Sequence, residues 1–186
     1  MILMRHAESQ TAGPTRDHDR PILPEGANAA KQVAKQLREL GWVPDVVICS
    51  NALRTRQTYD VLRDEIPELA DADAHFLGSL YTVAALDGQT RAHLQEILAA
   101  ELASSHQCAL CLGHDRGWSE AATSFTNRLI GLGNSHAALL EGRGRTWGDA
   151  LGPEAAWSLV DVVVPLGDSP RLGPELSPDA ATPDAV

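Results

Sequence analysis

The chain has 186 residues, 44% of them hydrophobic, which suits one domain able to bury roughly 70% of its unfolded surface without staples. A formal charge of -10, from 25 Asp and Glu against 15 Lys and Arg, excludes broad electrostatic attraction to nucleic acid or an anionic membrane, so any anion site must be built locally. Three cysteines, an odd number, argue against a disulfide framework, and no apolar stretch approaches the ~18 residues of a membrane span.

Residues 1–5 read as a short buried strand. No secretory pattern precedes it, so the expected compartment is intracellular and cytoplasmic. Because a core strand opens the numbering, an organelle stays open if the chain is a fragment of a longer precursor. From residue 25 to 40, Ala30, Val33, Ala34, Leu37 and Leu40 form one helical stripe that Gly41 ends. A second strand over 46–49 is entered from Pro44-Asp45. Thr55, Thr58, Tyr59, Leu62 and Ile66 stripe the next helix, with Ser50 as its expected N-cap and Pro67 as its stop.

A weak strand near 74–77 precedes a helix carrying Leu94, Ile97, Leu98 and Leu102. The apolar run 108–112 reads as a strand, in which residues three apart face opposite sides, so Cys108 and Cys111 cannot share a metal. All three cysteines read as small buried hydrophobes. A helix with Trp118, Ala122, Phe125 and Leu129 follows, then late strands over 137–140 and 157–164. Alternating strands and helices suggest an α/β layered sheet with helices on both faces, mixed because no obvious long helix separates the last two strands. Residues 168–186 hold four of the 11 prolines and almost no large apolar side chains. They are expected to form a disordered acidic tail after a domain spanning 1–167.

This sheet places Arg5 and His6 after the first strand, Arg54 shortly after the second and His114 after the 108–112 strand. The carboxyl ends of strands are where open α/β sheets bind ligands, so four basic side chains converge on one edge. Guanidinium forks suit phosphate oxygens, and a helix beginning near Gly117 adds N–H groups and a positive dipole end. Such surroundings disfavour an imidazolium, which leaves His6 neutral and able to attack phosphorus, while His114 could donate to a phosphoryl oxygen. His18 and Asp19 are of metal-ligating types, but two arginines beside the site would repel a divalent cation. No metal and no cofactor are expected.

Three motifs in order resemble a known family. Arg5-His6-Ala7-Glu8-Ser9 is similar to the R-H-G-E-[ST] signature of the histidine phosphatase, or phosphoglycerate mutase-like, superfamily, with Ala7 in place of glycine. The segment from Ser50 to Thr58 resembles its S-x-x-x-R-x-x-Q-T, and Gly113-His114 its G-H. Asp19-Arg20-Pro21 through Gly26 looks like the D-R-P-L-T-x-x-G stretch of SixA-type phosphohistidine phosphatases. Gly113-His114-Asp115-Arg116-Gly117-Trp118 resembles their G-H-N-P-G region. Over residues 1–165 the resemblance implies a three-layer α/β/α sandwich around a mostly parallel, mixed six-stranded sheet. It also implies a phosphohistidine mechanism and catalytic roles for Arg5, His6, Arg54 and His114.

Many members carry a glutamate general acid after the third strand, whereas Ser79-Leu80-Tyr81-Thr82 has no carboxylate and Asp87 is the nearest candidate. Lack of a strong acid harms alkyl esters most, because their poor leaving groups need a proton, and harms phosphohistidine less. The leading expectation is therefore a hydrolase acting on phosphohistidine in protein. A broad small-molecule phosphomonoesterase and a catalytically idle phosphoryl-binding module are the alternatives. Arg20, Arg116 and Trp118 are expected to line substrate entry, although the arginines could instead pair with Asp17, Asp19 or Asp115. Partners would be a phosphorylated protein or small molecule, met by a monomer, with neither nucleic acid nor membrane.

Overall fold

A computed structural model describes residues 1–176 except 12, 153, 154 and 156. Six strands form the central sheet: β1 (Ile2–Arg5), β2 (Val46–Ser50), β3 (Asp73–Leu77), β4 (Ala109–Gly113), β6 (Ala137–Gly142) and β7 (Trp157–Val163), in the order β3-β2-β4-β1-β6-β7. β1, β2, β3 and β4 run parallel, and β6 runs antiparallel to both its neighbours. This is the mixed, mostly parallel sheet that the sequence implied.

Side-chain alternation divides the core in two. Leu3, Val46, Ile48, Ala109 and Cys111 point to one face, where α3 (Gly78–Val83), α4 (Thr90–Glu101), α5 (Asp115–Thr126) and the short α6 (Trp147–Ala150) cover it. Ile2, Met4, Val47, Cys49, Leu110 and Leu112 point to the other, against α1 (Pro24–Glu39) and α2 (Leu53–Glu65). Strands covered on both faces must be apolar throughout, which is why these runs lack polar alternation. Cys108 and Cys111 lie in opposite core clusters, and all three thiols are free.

Several local expectations are corrected. Ser50 is the last residue of β2, and Ala52 caps α2 without a side-chain bond. Leu129 lies outside the helix: α5 ends at Thr126, Asn127 turns the chain at φ 53°, and Leu129 sits in β5 (Arg128–Gly131). The expected disorder from 168 onward does not hold for its first part, because β8 (Arg171–Glu175) pairs antiparallel with β5. Pairing satisfies the backbone groups of both edges, so few apolar side chains are needed to hold it. Residues 177–186 of the expected tail lie outside the described residues.

Candidate active site

Parallel strands bring Arg5, Ser50, Leu77 and Gly113 to one edge of the sheet. His6 follows β1 directly, and its backbone is held on both sides. Its N–H donates to the Gly113 carbonyl (3.0 Å), and its carbonyl accepts from Ser135 N–H and Asn134 Nδ2 (both 3.2 Å). The next residue, Ala7, is buried and donates its N–H to Thr58 Oγ1 on α2 (3.0 Å). Among the described residues Ala7 is not at positive φ, so alanine fits where the family signature has glycine.

Two glycines let the elements close on this edge. A Cβ on Gly26 would lie 2.4 Å from the Glu8 carbonyl oxygen, so only glycine lets α1 pack against the loop after His6. A Cβ on Gly113 would lie 2.2 Å from the Trp118 ring, which packs directly beneath the end of β4.

The tautomer of His6 follows from its partners. Nδ1 is 2.7 Å from the Ala7 carbonyl, which can only accept, so the proton resides on Nδ1. Nε2 then accepts from Arg54 Nε (3.1 Å) and carries the lone pair. Burial pushes the His6 pKa down to about 3, with Arg54, Arg5 and Arg20 adding to the effect against the Ala7 bond. His114 is also driven to about 3, by burial first and then by His6 and Arg54. Its Nδ1 accepts from Arg54 Nη2 (3.2 Å), so Nε2 carries the proton and donates to Ser50 Oγ (2.8 Å).

Arg54 organises the cluster. Besides the two imidazoles it bonds the Asp17 carbonyl through Nη1 (2.6 Å) and the Asp17 carboxylate through Nη2 (3.0 Å). The same carboxylate accepts from Arg20 Nε (2.9 Å) and from the Tyr81 hydroxyl (2.8 Å). Burial pulls the Asp17 pKa upward, but the Tyr81 and Arg20 hydrogen bonds and the Arg54 charge outweigh it and hold it at about 2. Arg5 bonds the Leu132 carbonyl (3.1 Å) and Asp115 (3.0 Å), while its buried Nε has no partner among the described residues. α5 starts at Asp115, two residues earlier than expected, so its first N–H groups lie beside His114.

His6, Arg54 and His114 therefore meet directly, Arg5 flanks them, and Arg20 joins through Asp17. Three expected residues do not take part. Trp118 is fully buried with its indole N–H on the Cys111 carbonyl (2.9 Å), so it supports Gly113 and cannot line substrate entry. Arg116 is an exposed first-turn residue of α5 paired with Glu120 and Asp87, both at 3.0 Å. Asp87 is exposed and spent on that pair, with no contact to either site histidine. Sequence reading missed Asp17 and Tyr81 as parts of the cluster. In sequence Asp17 reads only as a surface partner for an arginine, and Tyr81 lies in a segment without a carboxylate.

The arrangement presents a neutral imidazole lone pair beside a guanidinium, with a buried unpaired N–H and a helix N-terminus nearby. That combination suits attack on an anionic, tetrahedral phosphoryl group.

Comparison with known proteins identifies the family. Residues 1–131 match the model of the histidine phosphatase superfamily (branch 1). An uncharacterised chloroplastic protein of Arabidopsis thaliana is 38% identical over 168 residues, covering 89% of this chain and 77% of the relative. A structure of a candidate phosphohistidine phosphatase SixA from Nakamurella multipartitia superposes with a TM-score of 0.73 at 26% identity, covering 89% of this chain and 95% of that one. The protein histidine phosphatase SixA complexed with tungstate shares the fold at a TM-score of 0.69 and 18% identity, over 88% of this chain and 96% of its own. The chain belongs to the histidine phosphatase superfamily, as a phosphatase with a SixA-like fold.

Proposed function

We propose that this phosphatase removes the phosphoryl group from phosphohistidine in protein through a covalent intermediate on His6. The observation that carries the reading is the pairing of His6, with Nδ1–H on a carbonyl and the Nε2 lone pair facing Arg54. A histidine kept merely to recognise a phosphate would need an N–H, and not a lone pair, turned toward the anion.

In the reaction, Nε2 attacks phosphorus and the substrate's leaving group departs, then water cleaves the phosphohistidine. Arg54 and the free Nε–H of Arg5 hold phosphoryl oxygens. His114 joins them once its proton turns from Ser50 to the phosphoryl group. These fixed positive groups carry the charge compensation that a metal would otherwise supply. Two further points support the nitrogen-linked substrate: the SixA relative at 26% identity is described as a candidate phosphohistidine phosphatase, and Asp17, the carboxylate bonded to Arg54, is held ionised with its pKa at about 2. The three free cysteines fit a reducing, intracellular setting.

The test is to incubate wild type and His6→Ala, without added metal, with a radiolabelled phosphohistidine peptide and with p-nitrophenyl phosphate. A rapid acid-labile label on wild type alone, with His6-dependent turnover of the peptide, is expected. Wild type that cleaved only p-nitrophenyl phosphate would favour a broad phosphomonoesterase, and wild type inert on both would favour the binding module.

A further inference from the structure

Asp17 occupies the outer edge of the Arg54 guanidinium. Its carboxylate collects donors from three separate parts of the chain: Arg54 on α2, Arg20 before α1 and Tyr81 on α3. Phosphate cannot take the outer edge of the Arg54 guanidinium unless this carboxylate gives way. A depth gradient also runs through the site: His6, Arg54 and His114 are buried, whereas half of the Asp17 side chain is exposed.

In-line displacement sends the leaving group away from the nucleophile. With His6 at the buried end, the leaving group departs on the solvent side, where Asp17 and Tyr81 stand. We propose that Asp17 is the specificity-determining carboxylate of this site, displaced from Arg54 by the phosphoryl group and then accepting the ring N–H of a protonated phosphohistidine. This inference rests on the phosphohistidine reading above.

The chemistry balances without a general acid. His6 Nε2 forms its bond to phosphorus as the phosphorus–nitrogen bond breaks, and the bonding pair stays on the departing ring nitrogen. The proton already on the other ring nitrogen remains there, held by Asp17, so the imidazole leaves neutral. An alkyl phosphate would instead expel an alkoxide toward an ionised carboxylate, with no proton to meet it. Asp17 thus favours nitrogen-linked phosphoryl groups and opposes anionic leaving groups.

Asp17→Asn keeps the shape and removes the charge. Its kcat/KM for a phosphohistidine peptide should fall about 10- to 100-fold, the range for losing a charge-assisted hydrogen bond, while its kcat/KM for p-nitrophenyl phosphate rises. Inorganic phosphate should inhibit the variant more tightly, because Arg54 no longer has an internal anion to release. Asp17→Glu, retaining the carboxylate, should restore the preference for phosphohistidine. An equal fall on both substrates in a protein with wild-type circular dichroism would reduce Asp17 to a support for Arg54. A rise on both would make it an obstacle only. Either result overturns the proposal. Wild type that cleaves p-nitrophenyl phosphate but not the peptide sinks the substrate reading itself, and this shows before any variant is made.

Discussion

Replacing His6 and His114 by asparagine, singly and together, should flatten the acid side of the stability curve. Both imidazoles are buried, and burial with neighbouring positive charge drives each pKa down to about 3. The unfolded chain takes up protons on these residues below pH ~6.5 while the native site refuses them, so stability is lost as pH falls from about 6.5 toward about 3. At 1.36 kcal/mol per unit, acidification to about pH 4.5 weakens the native state by roughly 2 to 3 kcal/mol for each histidine. The two rings and Arg54 are coupled, so roughly 4 kcal/mol for the pair is the sounder expectation, against a typical total of about 5 to 15 kcal/mol. Urea unfolding followed by circular dichroism at about pH 7.5 and about pH 4.5 measures the loss. Carboxylates contribute alike to every variant and cancel in the comparison. Wild type should lose roughly 4 kcal/mol more than the double variant, with each single variant between them. Equal losses in wild type and the double variant would refute the claim that the native site holds both imidazoles neutral.

Arg54→Lys keeps the charge but not the fork that joins His6, His114 and Asp17, and should lower kcat about 10²- to 10³-fold in steady-state assays. Asp87→Asn removes one exposed pair with Arg116 and should change neither turnover beyond about twofold nor stability beyond about 0.5 kcal/mol, whereas a loss of ester hydrolysis alone would restore Asp87 as an acid. Gly113→Ala forces a methyl to within 2.2 Å of the Trp118 ring and should cost at least about 1 to 3 kcal/mol by thermal melting. Deleting residues 169–186 removes the partner of β5 and should lower Tm by a few degrees, at about 2 to 4 °C per kcal/mol for a domain of this size, while an unchanged Tm would show the β5–β8 pairing to be energetically idle.

Strands β1, β2 and β4 were legible in the sequence because both of their faces are covered. Runs such as residues 46–49 and 109–112 have no solvent face and so contain no polar positions, a pattern that few other structures impose. His6, Arg54 and His114 were legible for a related reason: each stands within four residues of the end of a parallel strand, where chain order alone predicts convergence. β5 and β8 were hidden because exposed edge strands need only backbone pairing, and a segment with Pro170 and Pro174 gives no periodic signal. Trp118 reads in sequence as a substrate contact because an aromatic residue on the first turn of a helix can face either way. The 2.2 Å approach that only Gly113 permits decides it, and no sequence pattern records that distance.

The segment carrying Asp17 is a single 3-10 turn over Asp17–Asp19, and its contacts with the site span 37 and 64 positions, to Arg54 and Tyr81. Its neighbours in sequence, Arg16, His18 and Asp19, look like any solvated charged loop, so local reading assigns it to the surface. What brings it inward is the antiparallel pairing of residues 8–10 with 21–23, through Leu23 N–H to the Glu8 carbonyl (2.8 Å) and Gln10 N–H to the Pro21 carbonyl (2.9 Å). That short ladder folds the intervening loop back over His6, and the glycine at position 26 gives α1 the clearance to hold it there. Asp17 thus lies in a loop closed by a few backbone bonds, and His6 stands two residues before the first strand of that ladder. A change that loosened the ladder without touching either side chain, such as Gly26→Ala, should therefore disturb substrate preference and turnover together, whereas a change at Asp17 alone should alter the preference first.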